Sequence, residues 1–287
     1  DGRLGIVGQA QLDDAEECDE NLVGTVPFFK TEWNVNDLFI AAKMDESQIT
    51  MKEIEDAFSD YLNKSSESEG DEEYQPPSLR SAIQALPGAN LVLISVPGQY
   101  AAVEVEDALD AGLHVMLFSD NVSVEDELRL KQKAVEKGLL MMGPDCGTAI
   151  INGVPLCFAN AVRRGKIGVV GASGTGTQEV TAQIHKLGEG LSQVIGTGGR
   201  DLKDQIGGLM MIQGFKALIA DSQTDVIVLI SKPPSPAVAE KIYRIAKDSP
   251  KPVVIDFIGG NRAAIESVGA IACISLEDAA HKAVGIL

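Results

Sequence analysis

The sequence predicts an α/β fold with parallel sheets, laid out as two domains. Three observations lead there. Short apolar runs such as LVLISV, KIGVVG, VIVLIS and PVVIDFI recur along the chain, and the stretches between them carry apolar residues at helical spacing. Glycine or proline punctuates most changes from one pattern to the other. At 287 residues the chain also exceeds the size at which one hydrophobic core stops growing.

Composition agrees and excludes some partners. A content of 45% hydrophobic and 5% aromatic residues with 29 glycines suits α/β architecture, where glycine serves tight strand-to-helix turns. A net charge of −18 argues against duplex binding, which needs clustered Lys and Arg, so no nucleic-acid partner is expected. The same charge repels anions at long range, so an anion site must be local, built from backbone N–H groups and a few cations. The four cysteines, Cys18, Cys146, Cys157 and Cys273, form no C-x-x-C pair, which leaves no metal or redox cofactor expected and fits a reducing cytoplasm. No apolar run approaches a spanning helix and no basic-then-apolar segment opens the chain, so no membrane association is expected.

In chain order, residues 1–75 form a divergent N-terminal region, of which the first 30 are the least legible. Leu4 to Val7 fits a strand, Asn36 to Met44 a buried strand, and Ile49 to Leu62 a helix; the acidic SSESEGDEE at 65–73 then reads as a loop or linker. From Leu79 the alternation is regular: helix 79–86, strand 91–96, a helix from Pro97-Gly98 to Ala111, strand 115–118, helix 124–137 with Gly138 as its stop, and strand 139–142. Residues 145–164 read as a connector with one hairpin at Asn152-Gly153. The second domain, 165–287, follows with strand 166–171, helix 177–187, strand 192–195, helix 205–220, strand 226–231, helix 236–247, strands 252–258 and 270–274, and helix 276–286. Five strands with interleaved helices predict a flavodoxin-like doubly wound sheet, whose ligands sit beyond the carboxyl ends of the strands.

Glycine-rich or polar loops lie at that edge. Gly171-Ala172-Ser173-Gly174-Thr175-Gly176-Thr177 follows a strand and opens a helix, which places unpaired N–H groups and the positive helix end at one spot. It is neither a Walker A loop nor the dinucleotide fingerprint. It reads as an anion seat, or as a tight turn whose Ser and Thr merely cap the helix. Gly198-Gly199-Arg200-Asp201 gives close backbone approach and a forked donor in Arg200, unless that Arg is only solvated. Lys232, after the next strand, is placed to reach the same anion, unless Pro233-Pro234 simply end the strand. Asp145 and Cys146, after the first domain's last strand, face the domain junction; Cys146 is either a nucleophile or an inert thiol. His114, His185 and His281 build no catalytic or metal constellation.

From Leu79 to Leu287 the chain resembles the α-subunit of succinyl-CoA synthetase and, segment by segment, the FdrA proteins of that superfamily. The resemblance rests on ANLVLISVPGQYAAVEVEDALDAGLHVMLFSDNVSVEDELRLKQKAVEKGLLMMGPDCGT, KIGVVGASGTGTQEV, IGTGGRDL and LISKPP. It implies a Rossmann-like CoA-binding-type domain over 76–164, then a ligase-type flavodoxin-like domain over 165–287. It places Val96, Pro97, Ser119, Asp120 and Asn121, with Asp145 and Cys146 beside them, in a CoA-type groove, and Ser173, Gly174 and Thr175 at the phosphoryl site.

Departures accompany the likeness. Ligases of this type carry phosphoryl on a histidine after the fourth strand, whereas IGGNRAAIESVG at 258–269 has none, and DGRLGIVGQAQLDD does not match their N-terminal CoA loop. FdrA proteins usually continue into a second half resembling the other ligase subunit. The resemblance therefore implies three functions: a subunit of an oxamate carbamoyltransferase system in allantoin breakdown, an NDP-forming acyl-CoA synthetase subunit, or a non-catalytic CoA- or nucleotide-binding regulatory subunit. In the first, carbamoyl phosphate or CoA is the ligand, Lys232 and Arg200 offset charge as phosphate leaves, and β-like or carbamoyltransferase subunits are partners in an oligomer.

Overall fold

A computed structural model of the protein describes residues 76–287, the backbone of Leu4–Ile6 and Ile40–Ala42, and Lys52. The chain divides into two compact units, Asp1–Glu73 and Tyr74–Leu287. In the first, β1 (Leu4–Ile6) pairs antiparallel with β2 (Ile40–Ala42), Leu4 opposite Ala42. Both strands fall inside the runs that fit strands in the sequence. The helix expected over 49–62, apart from Lys52, and the acidic run at 65–73 lie outside the described residues.

The second unit holds two sheets. Helix α1 (Leu79–Ala85) starts at a reciprocal cap between Ser78 and Ser81. Strands β3 (Leu91–Ile94), β4 (His114–Leu117) and β5 (Met141–Met142) then run parallel in that order, joined by α2 (Gly98–Asp110) and α3 (Val124–Glu136). Ala101, Val105, Ala108 and Leu109 fall at three- and four-residue steps on α2 and are all fully buried, which is why this stretch docks as a helix. Ser123 caps α3 by accepting from Asp126 N at 3.0 Å, and Glu125, Asp126 and Glu127 suit the positive end of that helix.

The second sheet comprises β6 (Thr148–Ile151), β7 (Val154–Cys157), β8 (Arg164–Gly171), β9 (Leu191–Gly196), β10 (Val226–Ser231), β11 (Val253–Phe257) and β12 (Ile271–Ala272), in the spatial order β12-β11-β10-β8-β9-β6-β7. The strands from β8 onward are parallel, and counted from β8 their order is 2-1-3-4-5, the flavodoxin order expected. All six residues of β10 are buried, as a central parallel strand requires. Its side chains alternate: Ile227 and Leu229 face α5 (Leu209–Ala220), α6 (Pro236–Lys247) and α7 (Arg262–Ser267), while Val226, Val228 and Ile230 face α4 (Gly174–Lys186) and α8 (Leu276–Val284). Each such side chain contributes about 1.5–3 kcal/mol on burial.

Several boundaries differ from expectation, each for a local reason. The Asn152-Gly153 hairpin forms, with φ of 52° and 83° at its two turn residues, but it is no connector: β6 pairs antiparallel with β9, Ile150 opposite Val194. Ala149 and Ile150 bury against that sheet edge. Helix α5 begins at Leu209 rather than Gln205, because Gly207 and Gly208 both adopt left-handed backbone. Helix α4 begins at Gly174, not Thr177, so the glycine turn is itself the first helical turn. Helix α7, unforeseen, starts where Asn261 accepts from Ala264 N.

Candidate functional site

A cleft with about 330 Å³ of open space lies where β8 and β9 end, beyond the carboxyl edge of the second sheet. Gly171, Ala172, Gly174 and Thr177 form one wall, Gly196, Gly198 and Gly199 a second, and Asp145, Cys146, Gly147 and Thr148 a third. The glycines let the walls meet. A Cβ on Gly196 would overlap the Thr148 carbonyl oxygen and Cys146 Sγ, and one on Gly198, whose φ is 83°, would overlap Pro144 O.

The turn after β8 combines both readings given to it. Ser173 caps α4, its Oγ accepting from Gly176 N at 3.3 Å, and Thr177 is 1% exposed with its hydroxyl donating to Ser173 O at 2.7 Å. These two hydroxyls hold the turn rather than a ligand. Gly174 and Thr175, by contrast, are exposed, and their N–H groups meet no acceptor among the described residues. Two backbone donors at the positive end of a 13-residue helix therefore remain available to an anion. Of the predicted phosphate-binding residues, Gly174, Thr177, Gly198 and Gly199 line the cleft, whereas Ser173, Thr175 and Gly176 stand behind or beside it.

The predicted cations do not join them. Arg200 Nη2 donates to Val122 O at 2.8 Å, and its Nε lies 2.8 Å from Glu127 Oε2, a close charge contact without hydrogen-bond alignment. Arg200 thus grips the start of α3 instead of an anion. Lys232 is exposed beyond β10 and does not line the cleft, since β10 lies on the far side of β8 from β9. Among the described lining residues there is no Lys, Arg or His, so attraction for an anion comes from amides and the helix end.

Beneath this cleft lies a feature the sequence did not reveal. Lys131, with no exposed surface, donates to Glu127 Oε1 at 2.8 Å, Asp201 Oδ1 at 2.8 Å and Thr197 O at 2.9 Å. Asp201, equally buried, accepts from Met210 N at 3.1 Å and Met211 N at 2.8 Å, so it caps α5 from outside. Glu127 and Lys131 stand four apart on α3, a spacing as common on solvated faces as in cores; that spacing was the one available signal.

The CoA-type residues also converge. Gly98 begins α2 so close to the next loop that a Cβ there would overlap Asp120 O, and Asp145 N donates to Ser119 O at 3.0 Å. Val96, Pro97, Asp120, Asn121 and Asp145 are exposed around this junction. Ser119 is 7% exposed, and its Oγ has no partner among the described residues; no side chain caps α2. An orphaned hydroxyl beside an uncapped helix start leaves polar groups without partners at this junction. Cys146 is 3% exposed, with Sγ 3.7 Å from Thr148 O, and burial pushes its thiol up to about 11, which argues against a nucleophile at neutral pH. No group of three or more His, Cys, Asp or Glu suited to a metal occurs among the described residues. No described helix is long and apolar enough to cross a membrane.

Comparison with known proteins places this arrangement. The α-subunit of the ADP-forming succinate–CoA ligase of Aquifex aeolicus is 33% identical over 172 residues, 58% of this chain and 55% of that subunit. A family model described as CoA binding domain matches residues 162–259. The chain belongs to the succinyl-CoA synthetase α-subunit superfamily. Within that superfamily the family match covers β8 to β11, whereas a CoA-binding-type fold is expected over 76–164. The matched stretch is the one with a described strand–glycine turn–helix, β8 to α4. The Escherichia coli K12 protein YahF is 54% identical over 240 residues, 84% of this chain and 45% of that protein. The chain thus spans about half the length of these two relatives. The superfamily fold is also seen in ATP citrate lyase from Methanothrix soehngenii, solved with citrate and coenzyme A, at 16% identity and a TM-score of 0.63 over 73% of this chain and 40% of that one.

Proposed function

We propose that this chain is an α-type subunit of a CoA-ligase-like complex, holding a phosphate-bearing ligand in the cleft and CoA on the Val96–Asn121 side. The observation that carries the reading is the unpaired N–H of Gly174, which lines the glycine-walled cleft, with the unpaired N–H of Thr175 next to it in the chain. The names of the ligase relatives and the ATP citrate lyase likeness supply CoA and partner subunits as the corresponding chemistry.

The stretch 258–269 lacks histidine, so a phosphohistidine relay has no carrier at the place the family alignment gives it. This favours direct use of an activated phosphate compound. The FdrA resemblance supplies carbamoyl phosphate: an acceptor nitrogen attacks the carbonyl carbon and loses a proton, the carbon–oxygen bond to phosphate breaks, and inorganic phosphate leaves. Cleft amides would stabilise the departing charge. Allantoin breakdown and a carbamoyltransferase partner belong to this same reading.

Calorimetry with phosphate, carbamoyl phosphate and CoA tests it, using a Gly174→Pro variant. Proline is suited to the first helical position, Ser173 before it is already extended, and the change deletes one cleft N–H. Loss of one charge-assisted bond of about 1.5–3 kcal/mol predicts roughly 10- to 100-fold weaker phosphate binding with an intact fold. Equal affinity in both proteins would refute the site. A stable label transferred from γ-labelled ATP in the presence of a β-type subunit would instead favour the NDP-forming ligase reading.

A further inference from the structure

The buried charges under the cleft do more than pack. Two cations, Lys131 and Arg200, meet two carboxylates, Glu127 and Asp201, with three of the four side chains no more than 1% exposed and Arg200 34% exposed. Burying such a cluster adds little net stability, because desolvation offsets most of the attraction. What it does is set geometry. On one side, Arg200 holds the start of α3 through Val122 O and Glu127, directly behind the Ser119–Asp120–Asn121 loop, and Lys131 stands on that same helix. On the other, Arg200 follows Gly199 in the chain and Lys131 bonds Thr197 O, so both hold the Gly196–Gly199 wall of the cleft. That wall is otherwise held by main-chain contacts, Thr197 N donating to Gly171 O at 2.9 Å and Asp201 N to Gly198 O at 3.3 Å, so Lys131 and Arg200 supply its side-chain links to α3.

We propose that Arg200 and Lys131 are positioning residues that couple the Ser119–Val122 loop to the Gly196–Gly199 wall, so that a ligand on either side strengthens binding on the other. The proposal rests on the CoA and phosphate reading above. It differs from a purely structural role in requiring an energetic link between two ligands. By linkage that link is reciprocal: CoA must tighten phosphate by the same factor as phosphate tightens CoA.

The experiment measures phosphate affinity by calorimetry with and without saturating CoA, in the full chain and in Arg200→Gln. Arg200 is partly exposed and does not line the cleft, so this variant is expected to fold and to bind each ligand alone within about threefold of the parent, a change of about 0.65 kcal/mol. The expected result is about fivefold or greater tightening by CoA in the parent, falling to none in Arg200→Gln. Tightening that survives in Arg200→Gln, or a ratio of one in a parent that binds both ligands, overturns the coupling alone. A parent that binds neither ligand overturns the functional reading and, with it, this inference.

Discussion

Lys131 Nζ lies 2.8 Å from Asp201 Oδ1 with both side chains wholly buried, although the two residues belong to helix and loop packed from different sheets. This contact ties the first sheet's last helix to the wall of the anion cleft. Removing the cation would strand Glu127 and Asp201 as uncompensated buried carboxylates. Lys131→Met is therefore expected to cost about 3–5 kcal/mol, read as a lower urea midpoint. An unchanged midpoint would mean that the charges are solvated in solution.

Gly198→Ala probes the wall itself. The substitution meets a φ of 83° and a Cβ overlapping Pro144 O, so the wall must shift. Strain of about 1–3 kcal/mol is expected, together with weaker phosphate binding. Thermal melting and titration on one sample check both.

Asp256 offers a pH test away from the site. It is 2% exposed on β11, with Oδ2 unpartnered, and burial first, then the nearby Asp278 charge, push its carboxyl above the usual range. A raised folded-state pKa means that the native chain holds the proton more tightly than the unfolded one. The stabilising contribution is complete below the unfolded value of about 3.9 and is lost as pH rises through the higher folded value. Asp256→Asn is thus expected to match the parent near pH 4 and to melt higher at pH 7. A variant that melts lower at pH 7 would mean that the carboxylate has a partner.

The cysteines should separate by reactivity. Burial pushes Cys146 up to about 11 and Cys273 up to about 12, while Cys157 is exposed on β7. At pH 8 roughly one Cys146 thiol in a thousand is ionised. Iodoacetamide followed by peptide mapping is expected to modify Cys157 in the native protein, and Cys146 and Cys273 only after unfolding. Fast labelling of Cys146 would revive it as a nucleophile.

What could be read from the sequence was local chemistry. Asn152-Gly153 announces its two-residue hairpin because both turn positions need positive φ; Pro236 marks the start of α6; and the unbroken apolar run at Val226–Ser231 marks a central strand. The glycine turn after β8 was legible for the same reason, since strand, glycines and cap are contiguous. The fate of Arg200 was not, because its partners Val122 and Glu127 stand more than 70 residues earlier in the chain and on another sheet's helix. The same separation hid Lys131 from Asp201. The hairpin's membership of the second sheet was equally hidden, because strand pairing between Ile150 and Val194 leaves no trace in either segment alone.

Amide-resolved NMR reads the N–H groups of Gly174 and Thr175 directly. On titrating inorganic phosphate into ¹⁵N-labelled protein, the largest shifts are expected at Gly174 and Thr175, with smaller ones at Gly198 and Gly199. Saturating phosphate that leaves those signals in place, or moves only exposed Lys and Arg neighbourhoods, would contradict the account.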